Sequence, residues 1–156
     1  MRIVVLAVGT RMPRWVDEAF ADYAKRMPHA LRLELIELRP EPRSSGKPPE
    51  ALLRAEAARI RSAMPQGAFC VALDERGREF TTHAFAKWLE SKAGEGSDLA
   101  LVIGGPDGLS PELKAGAQLR LRLSALTLAH GLARVVLAEQ IYRAVSILRH
   151  HPYHRE

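Results

Sequence analysis

Near its end the chain reads His150-His151-Pro152-Tyr153-His154-Arg155-Glu156. Tyr153 offers a ring on which a nucleobase can stack. His154 exchanges a proton near neutral pH, and Arg155 carries a planar fork suited to phosphate or a base oxygen. Two other readings stand beside that one. Polar terminal residues often fray, and His150, His151 and His154 are also close enough in sequence to share a metal ion.

A second set of candidates sits in two loops. Leu101-Val102-Ile103 runs into Gly104-Gly105-Pro106-Asp107-Gly108, where three glycines around a proline allow a sharp turn and a close approach of ligand to backbone. The glycine spacing matches neither a P-loop nor a dinucleotide fingerprint, so on glycines alone the loop is equally well a structural turn. Leu123-Ser124-Ala125-Leu126-Thr127-Leu128 is apolar where loops are usually polar. It offers hydroxyls and main-chain groups that suit a flat heteroaromatic ring; a buried strand extension is the alternative.

The elements around these loops predict where they lie. Ile3–Val8 is a continuous apolar run, expected to be a strand buried on both faces. Pro13 opens a helix to Arg26 with Trp15, Ala19, Phe20, Tyr23 and Met27 as its core stripe. Residues 31–38 alternate and predict a strand. Residues 39–49 form the one flexible-looking segment, in which Arg39, Arg43 and Lys47 are solvated or reach an anionic partner. A helix over 49–64 precedes the buried strand 68–73, and Asp74-Glu75-Arg76-Gly77 reads as that strand's exit turn. Thr81 or Thr82 caps a helix to Lys92, with Phe85, Trp88 and Leu89 facing inward. Ser110-Pro111 starts another helix as N-cap and first helical residue.

A strand at 120–123 leads through the apolar loop to a last helix over 132–149. There Leu137, Ile141, Val145 and Leu148 form a stripe that Leu132, Val135 and Val136 widen. The extra width fits a subunit contact or deeper burial in one subunit. Glu139 and Arg143 are spaced for an i,i+4 ion pair. Strands and helices alternate throughout, which predicts one α/β domain over residues 1–156, a mostly parallel sheet with helices on both faces. Both loops then leave the C-terminal ends of strands, where such sheets place their sites.

The 156 residues carry a net charge of +5 with a sequence pI of about 9.8. The cations are mostly arginine, which favours an anionic partner. One cysteine, Cys70, lies in an apolar run and is expected to pack as a small hydrophobe. One thiol excludes an intrachain disulfide and a cysteine-based metal site. No stretch reaches membrane-spanning length, and the N-terminal apolar run is too short for a signal peptide; a cytoplasmic protein with no membrane role is expected.

The motifs I-G-G-P-D-G, L-S-A-L-T-L-A-H, R-V-V-L-A-E-Q-I-Y-R-A and P-Y-H-R-E, with the early V-G-T-x-M-P, resemble the ribosomal RNA large subunit methyltransferase H family. These are small SPOUT-class enzymes, and the resemblance covers essentially the whole chain. It implies a C-terminal trefoil knot, which pattern reasoning alone would not suggest because true knots are rare. It implies binding of S-adenosylmethionine, a homodimer with its site at the interface, and methylation of N3 of a pseudouridine in helix 69 of 23S rRNA on the ribosome. It places Leu73, Gly104, Gly105, Leu123, Ser124, Ala125, Leu126, Thr127 and Leu128 at the cofactor and gives Tyr153 and Arg155 to the reaction; His154 joins them as the side chain beside them that can accept or relay a proton. No metal is implied. Asp74, near a sulfonium, would be an electrostatic partner; capping its own turn is the other reading. Ala129 stands where the family often has proline, a change that loosens the loop and removes no side-chain ligand. A non-catalytic, ribosome-associated RNA-binding protein on the same fold would keep the basic surface without binding the cofactor.

Overall fold

The computed structural model describes residues 1–155. Five strands alternate with five helices: β1 (Arg2–Val8), α1 (Arg14–Arg26), β2 (Arg32–Leu38), α2 (Pro49–Ala63), β3 (Phe69–Glu79), α3 (Thr82–Glu95), β4 (Leu99–Ile103), α4 (Pro111–Gly116), β5 (Leu119–Arg122) and α5 (His130–Leu148). Short 3-10 turns cover Arg43–Ser45 and Pro152–Arg155. The strands form one sheet in the order β2-β1-β4-β3-β5, and every pairing in it is parallel. The α/β class expected from the alternation is therefore observed, with parallel pairing throughout.

Burial explains the unbroken apolar runs. Residues 3–8 of β1 are all buried, with Ile3, Val5 and Ala7 facing one core and Val4, Leu6 and Val8 the other. The first core holds Phe20 of α1, Phe85 and Leu89 of α3, and Leu137, Ile141 and Val145 of α5. The second takes Ala57 and Ile60 of α2 and Leu113 of α4. A parallel sheet covered on both faces has no polar side to encode, so alternation disappears from its central strands. Cys70 packs in the second core as expected, and burial pushes its thiol pKa up.

Three expectations need correction. Trp15 is 53% exposed, and the buried residues of α1 are Val16 and Phe20. Phe20, Tyr23 and Met27 of the expected stripe do pack on the core, and Val16 takes the place read for Trp15. The exit turn at residues 74–77 is an irregularity inside a longer β3, because Leu121 pairs with both Leu73 and Arg78. Gly77 is required there: a Cβ on it would sit 2.7 Å from the Arg120 carbonyl group, far inside contact distance. Segment 39–49 is tied down. Arg43 bridges buried Glu56 at 2.6 Å and Asp107 at 2.9 Å, while Arg59 bonds Glu41 and, at 2.8 Å, the Arg39 carbonyl. Arg43 is thus paired with two carboxylates of the chain itself.

Candidate active site

The irregularity within β3 and the C-terminal ends of β4 and β5 open onto one cavity of about 810 Å³. Its lining includes Leu73 after the core of β3, Gly104 and Gly105 after β4, and all of Leu123 to Leu128 after β5. All nine residues assigned to a cofactor in the sequence thus share one cavity. Asp74, Glu75, Arg76, Asp107 and Lys114 add charge around it. The volume lies within the usual range for small-molecule sites. A ligand with a flat ring and a charged tail, such as S-adenosylmethionine, fits a wall that is aliphatic on one loop and bare backbone on the other.

Each loop is shaped by identifiable contacts. At Gly104 a Cβ would lie 2.5 Å from the Gly108 carbonyl carbon, so the two backbone segments touch where no side chain fits. Gly108 closes that turn with φ of 75°, donating its N–H to the Gly105 carbonyl at 3.0 Å. In the second loop the Ser124 hydroxyl accepts the Leu126 N–H at 3.0 Å. Arg122 donates to the carbonyls of Ser124 and Ala125, each at 3.3 Å, and pairs with Glu79 at 2.7 Å. Ser124 therefore shapes the loop from within. Leu126, held on this frame, is 77% exposed, an apolar side chain with no protein to cover it. Asp74 caps its own turn, its Oδ1 accepting the Arg76 N–H at 3.0 Å, and it also lines the cavity.

Sequence reasoning missed the buried charge beneath the first loop. Arg134 of α5 is fully buried. Its guanidinium donates to Glu37 Oε2 at 2.7 Å, to the Gly9 carbonyl at 2.8 Å and to His130 Nε2 at 2.9 Å. The other ring nitrogen of His130 lies 2.9 Å from the Gly104 carbonyl. Burial first, and the adjacent Arg134 charge second, push the His130 pKa down. An arginine four residues after a histidine, with apolar residues on either side of it in the helix, was the available signal.

The tail lies elsewhere. At His150 the backbone enters the left-handed region, φ 53°, and His151 donates its N–H to the Ser146 carbonyl at 2.8 Å, so the chain folds back onto α5. The Tyr153 hydroxyl donates to Glu139 Oε1 at 3.0 Å. Its ring meets Tyr142 edge-on at 4.7 Å and carries the Arg143 guanidinium at 4.9 Å. Glu139 and Arg143 form the expected pair at 2.8 Å, partly buried under this tail. Burial, with Tyr23 and Glu139 as partners, pushes the Tyr153 pKa up. His154 buries its Nδ1 with no partner among the described residues, and Arg155 is exposed. Glu156 lies outside the described residues. None of Tyr153, His154 and Arg155 lines the cavity. From Ala133, which does, to Glu139 under the tail, α5 rises about 9 Å. Among the described residues no cluster of histidines, cysteine and carboxylates is placed to hold a metal, and no helix is long and apolar enough to cross a membrane.

A parallel sheet with two ligand-ready loops at its C-terminal edge defines a class. The family model described as "Predicted SPOUT methyltransferase" matches residues 1–154. The fold also resembles that of a methylase family protein from Neisseria gonorrhoeae, with a TM-score of 0.54 at 18% identity, over 90% of this chain and 81% of that one. TrmJ from Z. mobilis aligns with a TM-score of 0.52 at 17% identity, over 92% of this chain and 70% of that one. Two curated proteins named ribosomal RNA large subunit methyltransferase H are far closer in sequence. The one from Laribacter hongkongensis is 57% identical over 156 residues, all of both chains. The one from Bordetella avium is 56% identical over 155 residues, 99% of each. The chain belongs to the ribosomal RNA large subunit methyltransferase H family of SPOUT methyltransferases.

Proposed function

We propose that this S-adenosylmethionine-dependent rRNA methyltransferase acts on N3 of a pseudouridine in helix 69 of 23S rRNA, on the assembled ribosome, as a cytoplasmic homodimer of single knotted domains. The observation that carries the reading is the gathering of Leu73, Gly104, Gly105 and Leu123 to Leu128 around one cavity in a chain of this family. The position of the target atom rests on the family's motifs.

Bound in that cavity, S-adenosylmethionine supplies a methyl group on a sulfonium, which makes the sulfur a good leaving group. The chain's own residues bind it, aim the acceptor and take a proton. The loop backbones grip the cofactor, and the Asp74 carboxylate sits at the rim as a counter-charge. The acceptor nitrogen carries an imide proton that must leave as the N–C bond forms. His154 is the candidate to accept or relay it, and water is the other acceptor. Tyr153 stacks the extruded base and Arg155 holds phosphate.

A second copy brings these side chains to the cavity. Trp15 on α1 and Leu132 on α5 are 53% and 40% exposed on two helices that pack together, an apolar pair suited to burial by that copy. An anionic polymer is supported by a second depression of about 620 Å³ lined by Arg76, Arg78, Lys114 and Arg120 with no carboxylate in its wall. Arg76 and Lys114 also line the cofactor cavity, so the basic track leads into it.

Radiolabelled methyl transfer onto free rRNA, isolated large subunits and whole ribosomes tests the reading. Label is expected in whole ribosomes, at N3 of one pseudouridine by mass spectrometry. Label confined to free rRNA, or to another atom, contradicts it.

A further inference from the structure

The chain Glu37–Arg134–His130–Gly104 joins four parts of the molecule: the end of β2, α5, the start of that helix and the glycine loop after β4. Its chemistry has one consistent arrangement of protons. An arginine only donates, so the Arg134 Nε–H bonded at 2.9 Å makes His130 Nε2 the acceptor. The ring proton then sits on Nδ1 and is donated to the Gly104 carbonyl at 2.9 Å. The same guanidinium is fixed by Glu37 and by the Gly9 carbonyl. His130 follows the second cofactor loop after Ala129 alone, so its ring ties that loop's exit to the first loop.

We propose that His130, held by Arg134 and Glu37, is a positioning residue that sets the orientation of the Gly104–Gly105 peptide for cofactor binding. A peptide unit is planar and trans. With the Gly104 carbonyl turned to His130, the Gly105 N–H of the same unit points the opposite way. Both residues line the cavity, and Gly105 also bridges Gly108 across the turn, so one imidazole braces the peptide on which that turn of the cavity wall is built. The contact of Gly104 with the Gly108 backbone leaves that peptide no side chain of its own for support. The buried Arg134 also explains why a neutral imidazole is kept here: a protonated ring would lose its acceptor and face an adjacent cation. The inference rests on the reading of this cavity as the cofactor site.

Two substitutions separate positioning from mere support of the fold. His130→Gln keeps an amide oxygen near the Nε2 position to accept from Arg134, and removes the donor to Gly104. His130→Asn keeps a donor near the Nδ1 position and removes the acceptor for Arg134. Amide NMR spectra of the cofactor-free proteins read the Gly105 N–H directly. Calorimetry with S-adenosylmethionine reads affinity, and thermal unfolding reads the fold. His130→Gln is expected to move the Gly105 resonance and weaken cofactor binding about tenfold, as loss of one buried hydrogen bond implies, while keeping its melting temperature. His130→Asn is expected to lose stability and yet keep more affinity than His130→Gln. Affinity that follows melting temperature across both variants would overturn the proposal. So would a moved Gly105 resonance with unchanged affinity. If the cofactor leaves the Gly104, Gly105 and Leu123 to Leu128 amides of the wild-type protein unmoved, the cavity reading fails and the proposal falls with it.

Discussion

The cavity and the tail are built on opposite plans. In the cavity, contacts are made by backbone: bare glycine on one loop, carbonyls held by Arg122 on the other, and the His130–Arg134 pair beneath. At the tail, contacts are made by side chains: Tyr153 on Tyr142, Glu139 and Arg143. The single chain already gathers the residues of the first region around one cavity. It leaves the second with an exposed Arg155 and an unpartnered His154 nitrogen, outside the cavity. On the proposed reading, cofactor binding and acceptor chemistry are separable by mutation, and a full site needs both regions together.

The largest separation is expected at Gly104. Any Cβ there forces the Gly108 backbone to shift, and ångström-scale misplacement costs about a hundredfold. Calorimetry of Gly104→Ala should show that loss in S-adenosylmethionine affinity, with Tyr153 still docked by fluorescence. Next comes the tail. Tyr153→Ala removes base stacking worth about 1–3 kcal/mol, so turnover should fall about ten- to a hundredfold with cofactor affinity unchanged. Equal losses of affinity and turnover would break the separation.

The smallest effect is in pH dependence, where the two regions respond at opposite ends. The His130 pKa lies below its ordinary 6.5, chiefly through burial. Its contribution to stability is complete above that value and is lost as pH falls through the folded-state pKa. The Tyr153 pKa lies above its ordinary 10.0, again chiefly through burial. Its contribution is complete below pH 10.0 and is lost as pH rises through the folded-state value. Melting temperatures should decline on the acid side in the wild-type protein and stay flatter in His130→Gln. Ultraviolet titration should show one tyrosine ionising last.

The alternation of strands and helices and the strand-end position of both loops were legible because periodicity and glycine reflect local backbone needs. Ser110 caps α4 through its hydroxyl at 3.1 Å, as its place before Pro111 implied. Long-range partners were not legible. Beyond His130 one helical turn earlier, nothing local marks Arg134 as buried, because its other two acceptors come from residues 9 and 37. Trp15 misled for a related reason: helical spacing gives a stripe, and the partner element decides which edge of it is covered. Gly77 looked like a turn residue, and its need for space against Arg120 emerges only once β3 and β5 pair.

The separation of the two regions is tested most directly by a mixed dimer. One chain carries Gly104→Ala with an intact tail; the other has an intact cavity and lacks residues 153–156. Each is inactive alone. Co-expressed with two different tags and purified through both, the mixed dimer pairs the good cavity of one chain with the good tail of the other. If the tail serves the neighbouring copy, about half of the wild-type methyl transfer to ribosomes should return, one of two symmetric sites being whole. A mixed dimer as inactive as its parents would place the tail at its own chain's cavity and contradict the account.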